Sequence, residues 1–293
     1  MRILLLGVTG QVGWELARTL PLLGELVTTS RGGNSSLDLD TSDLKQLQTT
    51  LDTVKPDVIV NATAYTAVDR AESEPAQAML LNADVPGLIG AWAARHQAQV
   101  IHYSTDYVFD GSKRGAYDEH DAVNPLNVYG RSKLAGDQAL LASGCDSLIL
   151  RVSWVYSLRG HNFLLTMLRL MRERSELRIV NDQIGAPTWS RTIAQASALI
   201  LAKLPADPAA RQALSGIYHL APAGQTSWFG FASAIRDHQR LDCTLHPITT
   251  GEYPTPARRP LNSLMNAGHL EETFGLRAAP WSQDLALCLN ADI

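Results

Sequence analysis

The chain is short of cysteine, of aromatic residues and of any large charge excess, and each shortage narrows what it can do. Its three cysteines, Cys145, Cys243 and Cys288, are odd in number, far apart and outside any CxxC or Cys/His cluster. That excludes a zinc-ligand set and a disulfide framework, and the cysteines read as thiols in a reducing cytosol. The balance of 25 Lys and Arg against 29 Asp and Glu gives a net charge of −4. The positive excess of a nucleic-acid or membrane-surface binder is therefore missing, and a small-molecule partner is favoured. Long apolar runs are also absent: Ile3–Leu6 ends at Gly7, and nothing reaches the roughly 18 apolar residues of a membrane span. Neither a secretory signal nor a transmembrane segment is expected. No internal repeat or low-complexity tract is found. What remains is 293 residues with 45% apolar content, enough for one large or two unequal domains with a full core.

The first half alternates short apolar runs with amphipathic stretches. Ile3–Leu6, Glu25–Thr29, Asp57–Val60, Val100–Tyr103 and Ser147–Val152 read as strands, and Gln11–Leu22, Ser42–Leu51, Pro75–Arg95 and Pro125–Ala142 as helices. Strands alternating with helices imply right-handed crossovers, so the fold class is α/β, a doubly wound parallel sheet of Rossmann type. Beyond Arg151 the pattern loosens into a helix near Phe163–Glu173, a strand Leu177–Val180, a Gly/Pro loop Asp182–Thr188 and a helix at about Arg191–Lys203. A strand near Gly216–Leu220, a helix near Ser227–Gln239 and the proline-rich Tyr253–Pro260 complete it. We assign residues 1–152 to a dinucleotide-binding domain, with a return of the chain at about 189–215, and the remaining segments of 153–293 to a smaller, loop-rich substrate lobe.

The first strand runs into Gly7-Val8-Thr9-Gly10-Gln11-Val12-Gly13, a GxxGxxG turn opening the first helix. Gly7 suits the sharp turn, Gly10 lets backbone approach a pyrophosphate, and Gly13 lets helix and sheet pack closely, with the helix N-terminus offering free N–H donors. A tight strand-to-helix turn without a ligand is the alternative. At the end of the second strand an NAD-selective site carries an acid, but here the chain reads Thr28-Thr29-Ser30-Arg31. Arg31 either pairs with a 2′-phosphate, which favours NADPH with NADH still possible, or is a solvated loop residue. Asp38 and Leu39 either flank the adenine or begin the turn to the next helix.

Tyr129 and Lys133 stand at i and i+4 of the Pro125–Ala142 helix and so share a face. A neighbouring cation favours the phenolate, and Lys133 can also hold the nicotinamide ribose hydroxyls. Ligands of open parallel sheets bind beyond the carboxyl ends of the strands, where His102-Tyr103-Ser104-Thr105-Asp106-Tyr107 leaves the fourth strand. There Thr105 offers a hydroxyl to a substrate carbonyl and to Tyr129. A hydroxyl, a phenol and a lysine beside a nicotinamide are the apparatus of carbonyl reduction.

These residues resemble the extended short-chain dehydrogenase/reductase superfamily. Thr9-Gly10-Gln11-Val12-Gly13, Asn61-Ala62-Thr63-Ala64, Thr66-Ala67-Val68-Asp69, Ser104 to Phe109, Pro125 to Gly130 and Asn181 to Thr188 are similar, in order and over nearly the whole chain, to the dTDP-4-dehydrorhamnose reductases. The resemblance implies reduction of the 4-keto group of dTDP-4-dehydro-L-rhamnose to dTDP-L-rhamnose, a donor for bacterial surface polysaccharides, in the cytoplasm. It implies Tyr129 as general acid, Lys133 as its partner and Thr105 where many relatives carry Ser. It places Gly10, Gln11, Val12, Asp38, Leu39, Ala62, Thr63, Ala64 and Tyr103 at the cofactor, and Tyr103, Thr105, Asp106 and Trp154 near the sugar. Trp154, after the fifth strand, either packs on the sugar ring or belongs to the core. Arg258 and Arg259 either reach the nucleotide-sugar pyrophosphate or are solvated.

The sequence departs from the family in one respect. Some members bridge a dimer with magnesium through three acids. Glu15 is present in the first helix, but Arg191 occupies the second position and the tail ends Asn290-Ala291-Asp292-Ile293. That puts the magnesium and the bridged dimer in doubt, and a monomer or a homodimer built on other contacts is expected. Two other readings stay open: a reductase or epimerase of another nucleotide-linked ketosugar, and a non-catalytic nucleotide-binding regulatory subunit.

Overall fold

A computed structural model describes residues 1–33 and 35–291. Its centre is a seven-stranded sheet: β1 (Arg2–Leu6), β2 (Glu25–Ser30), β3 (Leu37–Asp38), β4 (Val58–Asn61), β5 (Gln99–Thr105), β6 (Asp146–Val152) and β7 (Gly216–His219). The order across the sheet is β7-β6-β5-β4-β1-β2-β3, and every pairing is parallel. This is the doubly wound α/β fold expected. Strand order reverses between β1 and β4, which opens a crevice at their carboxyl ends.

Alternate side chains of each strand enter different cores, because successive Cβ atoms point to opposite faces. Ile3, Leu5, Val58, Val60, Ile101 and Leu148 pack under α1 (Gln11–Thr19) and α6 (Ser190–Lys203). Leu4, Leu6, Ile59, Val100 and Ile149 face α2 (Leu44–Val54) and α3 (Val85–His96) with Leu47, Leu51, Ile89 and Trp92. α4 (Val128–Ala142) lies beside α3. A third core, including Leu164, Met167, Leu177, Phe231 and Ile235, fills the second lobe. That lobe carries α5 (Phe163–Glu173), α7 (Trp228–Gln239) and the parallel strand pair Glu176–Val180 with Thr244–Ile248. Through α6 and β7 the chain comes back from this lobe to the main sheet.

Several element limits move for local reasons. Pro21 turns the end of the expected Gln11–Leu22 helix into a 3₁₀ turn, Leu20–Leu22. The expected Pro75–Arg95 helix is interrupted by a π-helical turn, Leu80–Asp84, just ahead of Pro86, which has no N–H to continue the regular ladder. The helix expected from Pro125 begins at Val128, because Asn127 Oδ1 accepts the Gly130 N–H at 2.8 Å and caps it. Among the described residues no helix is long and apolar enough to cross a membrane. All three cysteines are buried and free.

Candidate active site

The glycine turn forms one wall of a cleft at the carboxyl edge. Gly7 has φ +84°, and a Cβ there would lie 2.8 Å from Thr63 Cγ2. A Cβ on Gly13 would stand 2.1 Å from the Gly7 carbonyl oxygen, so α1 can approach the turn only without a side chain. Gly10 caps α1 and faces the cleft, a cavity of about 220 Å³ lined also by Thr29, Ser30, Arg31, Leu39, Asp40, Ala62, Thr63 and Ala64. Arg31 is solvent-exposed, 3.9 Å from Asp40 Oδ2. Asp38 lies outside that lining: its carboxylate accepts the Gly32 N–H at 2.9 Å at the exposed tip of β3. Val12 packs into the sheet core, and Gln11 reaches the second lobe, accepting from Ser157 Oγ and Asn162 Nδ2 at 2.9 and 2.8 Å.

Thr105 at the end of β5 neighbours Tyr129 of α4, and the same helix carries Lys133 one turn further on. The Thr105 hydroxyl donates to Asp106 Oδ1 at 3.0 Å, accepts the Tyr107 N–H and lies near the Tyr129 phenol. Lys133 is not among the groups that shift Tyr129 in the cofactor-free protein. Burial raises the Tyr129 pKa, with Thr105 opposing. Lys133 is turned away, its Nζ 2.6 Å from the Tyr103 carbonyl oxygen and 3.2 Å from His102 Nε2. Its burial pulls it down to about 8 against the pull of Asp137. Tyr103 offers the site only this carbonyl, since its phenol lies 2.7 Å from Ser197 Oγ in the core. Desolvation pushes Asp106 up to about 6, against the hydrogen bond from Thr105.

The second lobe faces this edge with aromatic and basic groups. Trp154, half-buried at φ +47°, stacks on Trp228 with centroids 3.6 Å apart. Arg258 is exposed, and its carbonyl accepts from Asn127 Nδ2 at 2.8 Å. Arg259 turns inward, bonding Asp69 Oδ2 at 2.9 Å and approaching the Tyr107 hydroxyl at 3.4 Å. Tyr107 in turn meets the Tyr129 ring edge-on at 5.5 Å. Sequence reasoning gave Asn61, His102, Tyr107 and Trp228 no roles of their own. The first three lay inside motifs it quoted, and Trp228 carried no signal.

Glu15 does not offer a free carboxylate to a cation: Arg191 Nε lies 3.3 Å from its Oε2. Among the described residues no group of three His, Cys, Asp or Glu side chains could hold a metal, while Asp292 lies outside the described residues. The donor set around Glu15 therefore does not fit magnesium.

A family model described as the RmlD substrate binding domain matches residues 1–292. A dTDP-4-dehydrorhamnose reductase of Burkholderia thailandensis is 46% identical over 301 residues, covering 99% of this chain and 98% of that protein. The crystal structure of a dTDP-4-dehydrorhamnose reductase from Clostridium acetobutylicum superposes with a TM-score of 0.90 at 32% identity, over 99% of both chains. A Bacillus anthracis dTDP-4-dehydrorhamnose reductase solved in complex with NADP gives 0.88 at 31% identity, over 98% of both.

Proposed function

Because the chain belongs to the dTDP-4-dehydrorhamnose reductase family, we propose that it reduces the 4-keto group of dTDP-4-dehydro-L-rhamnose to dTDP-L-rhamnose with NADPH. The observations that carry this reading are the glycine-walled cleft at the carboxyl edge of the sheet and, at the end of β5, Thr105 next to Tyr129 of α4, whose helix also carries Lys133. In that cleft the bound cofactor supplies a hydride. Gly10 lets backbone N–H groups approach its pyrophosphate, Gly7 makes the turn and Gly13 lets α1 close on it, while Ala62, Thr63, Ala64 and Leu39 line its bed. The end of β2 carries Thr29, Ser30 and Arg31 and no acid, which supports NADPH over NADH.

Tyr129 is the proton donor. Burial keeps its phenol neutral, the state a general acid must start from, with the Thr105 hydroxyl beside it. The proton passes to the substrate carbonyl oxygen, and Lys133 serves the ribose hydroxyls. Asp106 and Thr105 face the sugar, Trp154 packs against it and the exposed Arg258 meets the substrate pyrophosphate. Reduction takes place in the cytoplasm, by a monomer or a homodimer that needs no bridging cation.

The test follows NADPH oxidation at 340 nm with dTDP-4-dehydro-L-rhamnose, with NADH and Tyr129→Phe alongside and the product identified by chromatography. We expect dTDP-L-rhamnose from the wild type. The variant should bind NADPH normally and turn over about 10²–10⁴-fold more slowly. Cofactor binding without turnover of this sugar would point to another nucleotide-linked ketosugar. Undiminished turnover by Tyr129→Phe would remove Tyr129 as donor.

A further inference from the structure

Nothing above gives His102 a task, yet its hydrogen-bond partners fix where its proton sits. The Thr63 backbone N–H donates to Asn61 Oδ1 at 3.1 Å, and the Thr63 hydroxyl bonds the same atom at 2.6 Å. A backbone N–H cannot accept, so that atom of Asn61 is its oxygen, and the group 3.2 Å from His102 Nδ1 is its NH₂. An NH₂ only donates. Nδ1 is therefore the acceptor, and a neutral ring must carry its proton on Nε2. Complete burial pushes the His102 pKa well below its ordinary value, so the ring is neutral. Its Nε2–H points at Lys133 Nζ, 3.2 Å away. An ammonium has no lone pair with which to accept it.

We propose that His102 is a positioning residue that favours the neutral amine of Lys133 in the cofactor-free protein, in an Nε2–H tautomer that Asn61 fixes from the floor of the cofactor cleft. This rests on reading Lys133 as the lysine of the reductase site. Lys133 then donates to the Tyr103 carbonyl at 2.6 Å and accepts from His102, with both bonds satisfied. Of the titratable and charged groups around it, Asp137 alone favours the charged form. On its own helix, Asp137 is drawn to Arg151 of β6 at 3.4 Å and to Ser104 of β5 at 2.8 Å. No ion pair forms between Asp137 and Lys133. Tyr129 is held neutral by burial, and the Tyr103 phenol faces Ser197. Burial of Lys133 itself favours the uncharged form.

Charging Lys133 would require His102 to move its proton to Nδ1, where it would oppose the Asn61 NH₂ donor against donor. The lysine's charge and the Asn61–His102 bond thus exclude each other in this arrangement. Asn61 lies two residues before Thr63, which lines the cleft. The state of the cleft floor and the charge of Lys133 are coupled through one ring.

Two NMR measurements on the intact cofactor-free protein test this. Long-range ¹H–¹⁵N spectra report histidine tautomers, and ¹³C/¹⁵N-lysine labelling follows amine titration among only five lysines, with Lys133 assigned by its loss in Lys133→Met. We expect an uncharged Nε2–H ring at His102 from pH 6 to 9, and at pH 9 a Lys133 at least tenfold more neutral than a lysine of the unfolded chain. Asn61→Asp keeps the Thr63 contact but presents an acceptor to Nδ1. It should reverse the tautomer and raise the Lys133 midpoint by at least one pH unit, a tenfold change. An Nδ1–H ring in the wild type, or Lys133 titrating in the ordinary lysine range, overturns the proposal. A depressed Lys133 beside an Nδ1–H ring overturns it too, since desolvation alone would then be acting. If Asn61→Asp does not fold, the wild-type spectra decide. Neither readout needs turnover, so an inactive enzyme with both signals as stated would overturn the proposed reaction and leave this assignment standing.

Discussion

Arg191 Nε lies 3.3 Å from Glu15 Oε2, joining α6 to α1 with the carboxylate almost buried and the guanidinium about one-third exposed. The same guanidinium sits 4.6 Å over the Trp189 ring, so it is held on both sides. A carboxylate already neutralised by a fixed cation is a poor ligand for magnesium. Treatment with EDTA should therefore leave reductase activity and the oligomeric state unchanged, as followed by NADPH oxidation and gel filtration. Arg191→Ala should lower stability by about 1–2 kcal/mol in urea unfolding, less than a fully buried pair would lose because water screens the arginine. Loss of activity on chelation would mean that a cation is bound through other groups.

Asp106 sets a pH dependence whose sign follows from its burial. Desolvation raises its pKa from 3.8 to about 6, outweighing its hydrogen bonds. The folded state thus prefers the protonated acid. Its contribution to stability is complete below the unfolded value and is lost as pH rises through the folded one, from about 4 to about 6. Asp106→Asn cannot ionise, so relative to wild type the variant should gain on the order of 3 kcal/mol between pH 4 and pH 7. Urea midpoints of both proteins at the two pH values give this double difference, from which other titrating groups cancel. A difference independent of pH would mean that Asp106 is ionised at little cost.

The parts of the site that could be read from sequence are those in which residue type dictates backbone. Gly7 and Gly13 stand where a Cβ would collide, and the i, i+4 spacing puts Tyr129 and Lys133 on one helix. The direction of the Lys133 amine was not legible, because its partners, the Tyr103 carbonyl and His102, come from a strand 30 and 31 residues earlier. The same limit applies to Arg258 and Arg259. Successive side chains of an irregular segment diverge, so one arginine meets solvent and the other reaches Asp69 and Tyr107. The pairing of Gly216–His219 with β6 is a long-range contact that no local pattern encodes. Helix ends moved by a few residues wherever a proline or a cap decided them.

The selectivity between the two nicotinamide cofactors is tested at Arg31. It lines the cleft beyond β2 and is exposed, with only a 3.9 Å contact to Asp40 to hold it. That contact is too long and too solvated to matter for stability. Arg31→Ala should therefore leave the unfolding midpoint unchanged. It should raise the KM for NADPH by about tenfold, the loss of one charge-assisted contact to a 2′-phosphate, and change the KM for NADH by less than about twofold. Equal effects on both cofactors would make Arg31 a loop residue with no part in selectivity.

Gly185 and Trp154 connect the second lobe's packing to substrate selectivity. A Cβ on Gly185 would lie 2.6 Å from Trp154 Cε2 and 2.7 Å from its Cζ2, so alanine cannot fit unless the indole moves. The indole has little room, being stacked at 3.6 Å on Trp228, whose own Nε1 donates to Gln183 at 3.1 Å. Gly185→Ala should cost about 1–3 kcal/mol of stability, as overpacking does. If Trp154 packs against the sugar, the displaced ring should also raise the KM for the nucleotide sugar several-fold while leaving the KM for NADPH unchanged, because the glycine cleft lies on the other lobe. Trp154→Ala separates the two effects: it relieves the clash with residue 185 but removes the ring. The double variant should therefore recover the cost of overpacking without recovering sugar affinity. Recovery of both would place Trp154 in the core alone.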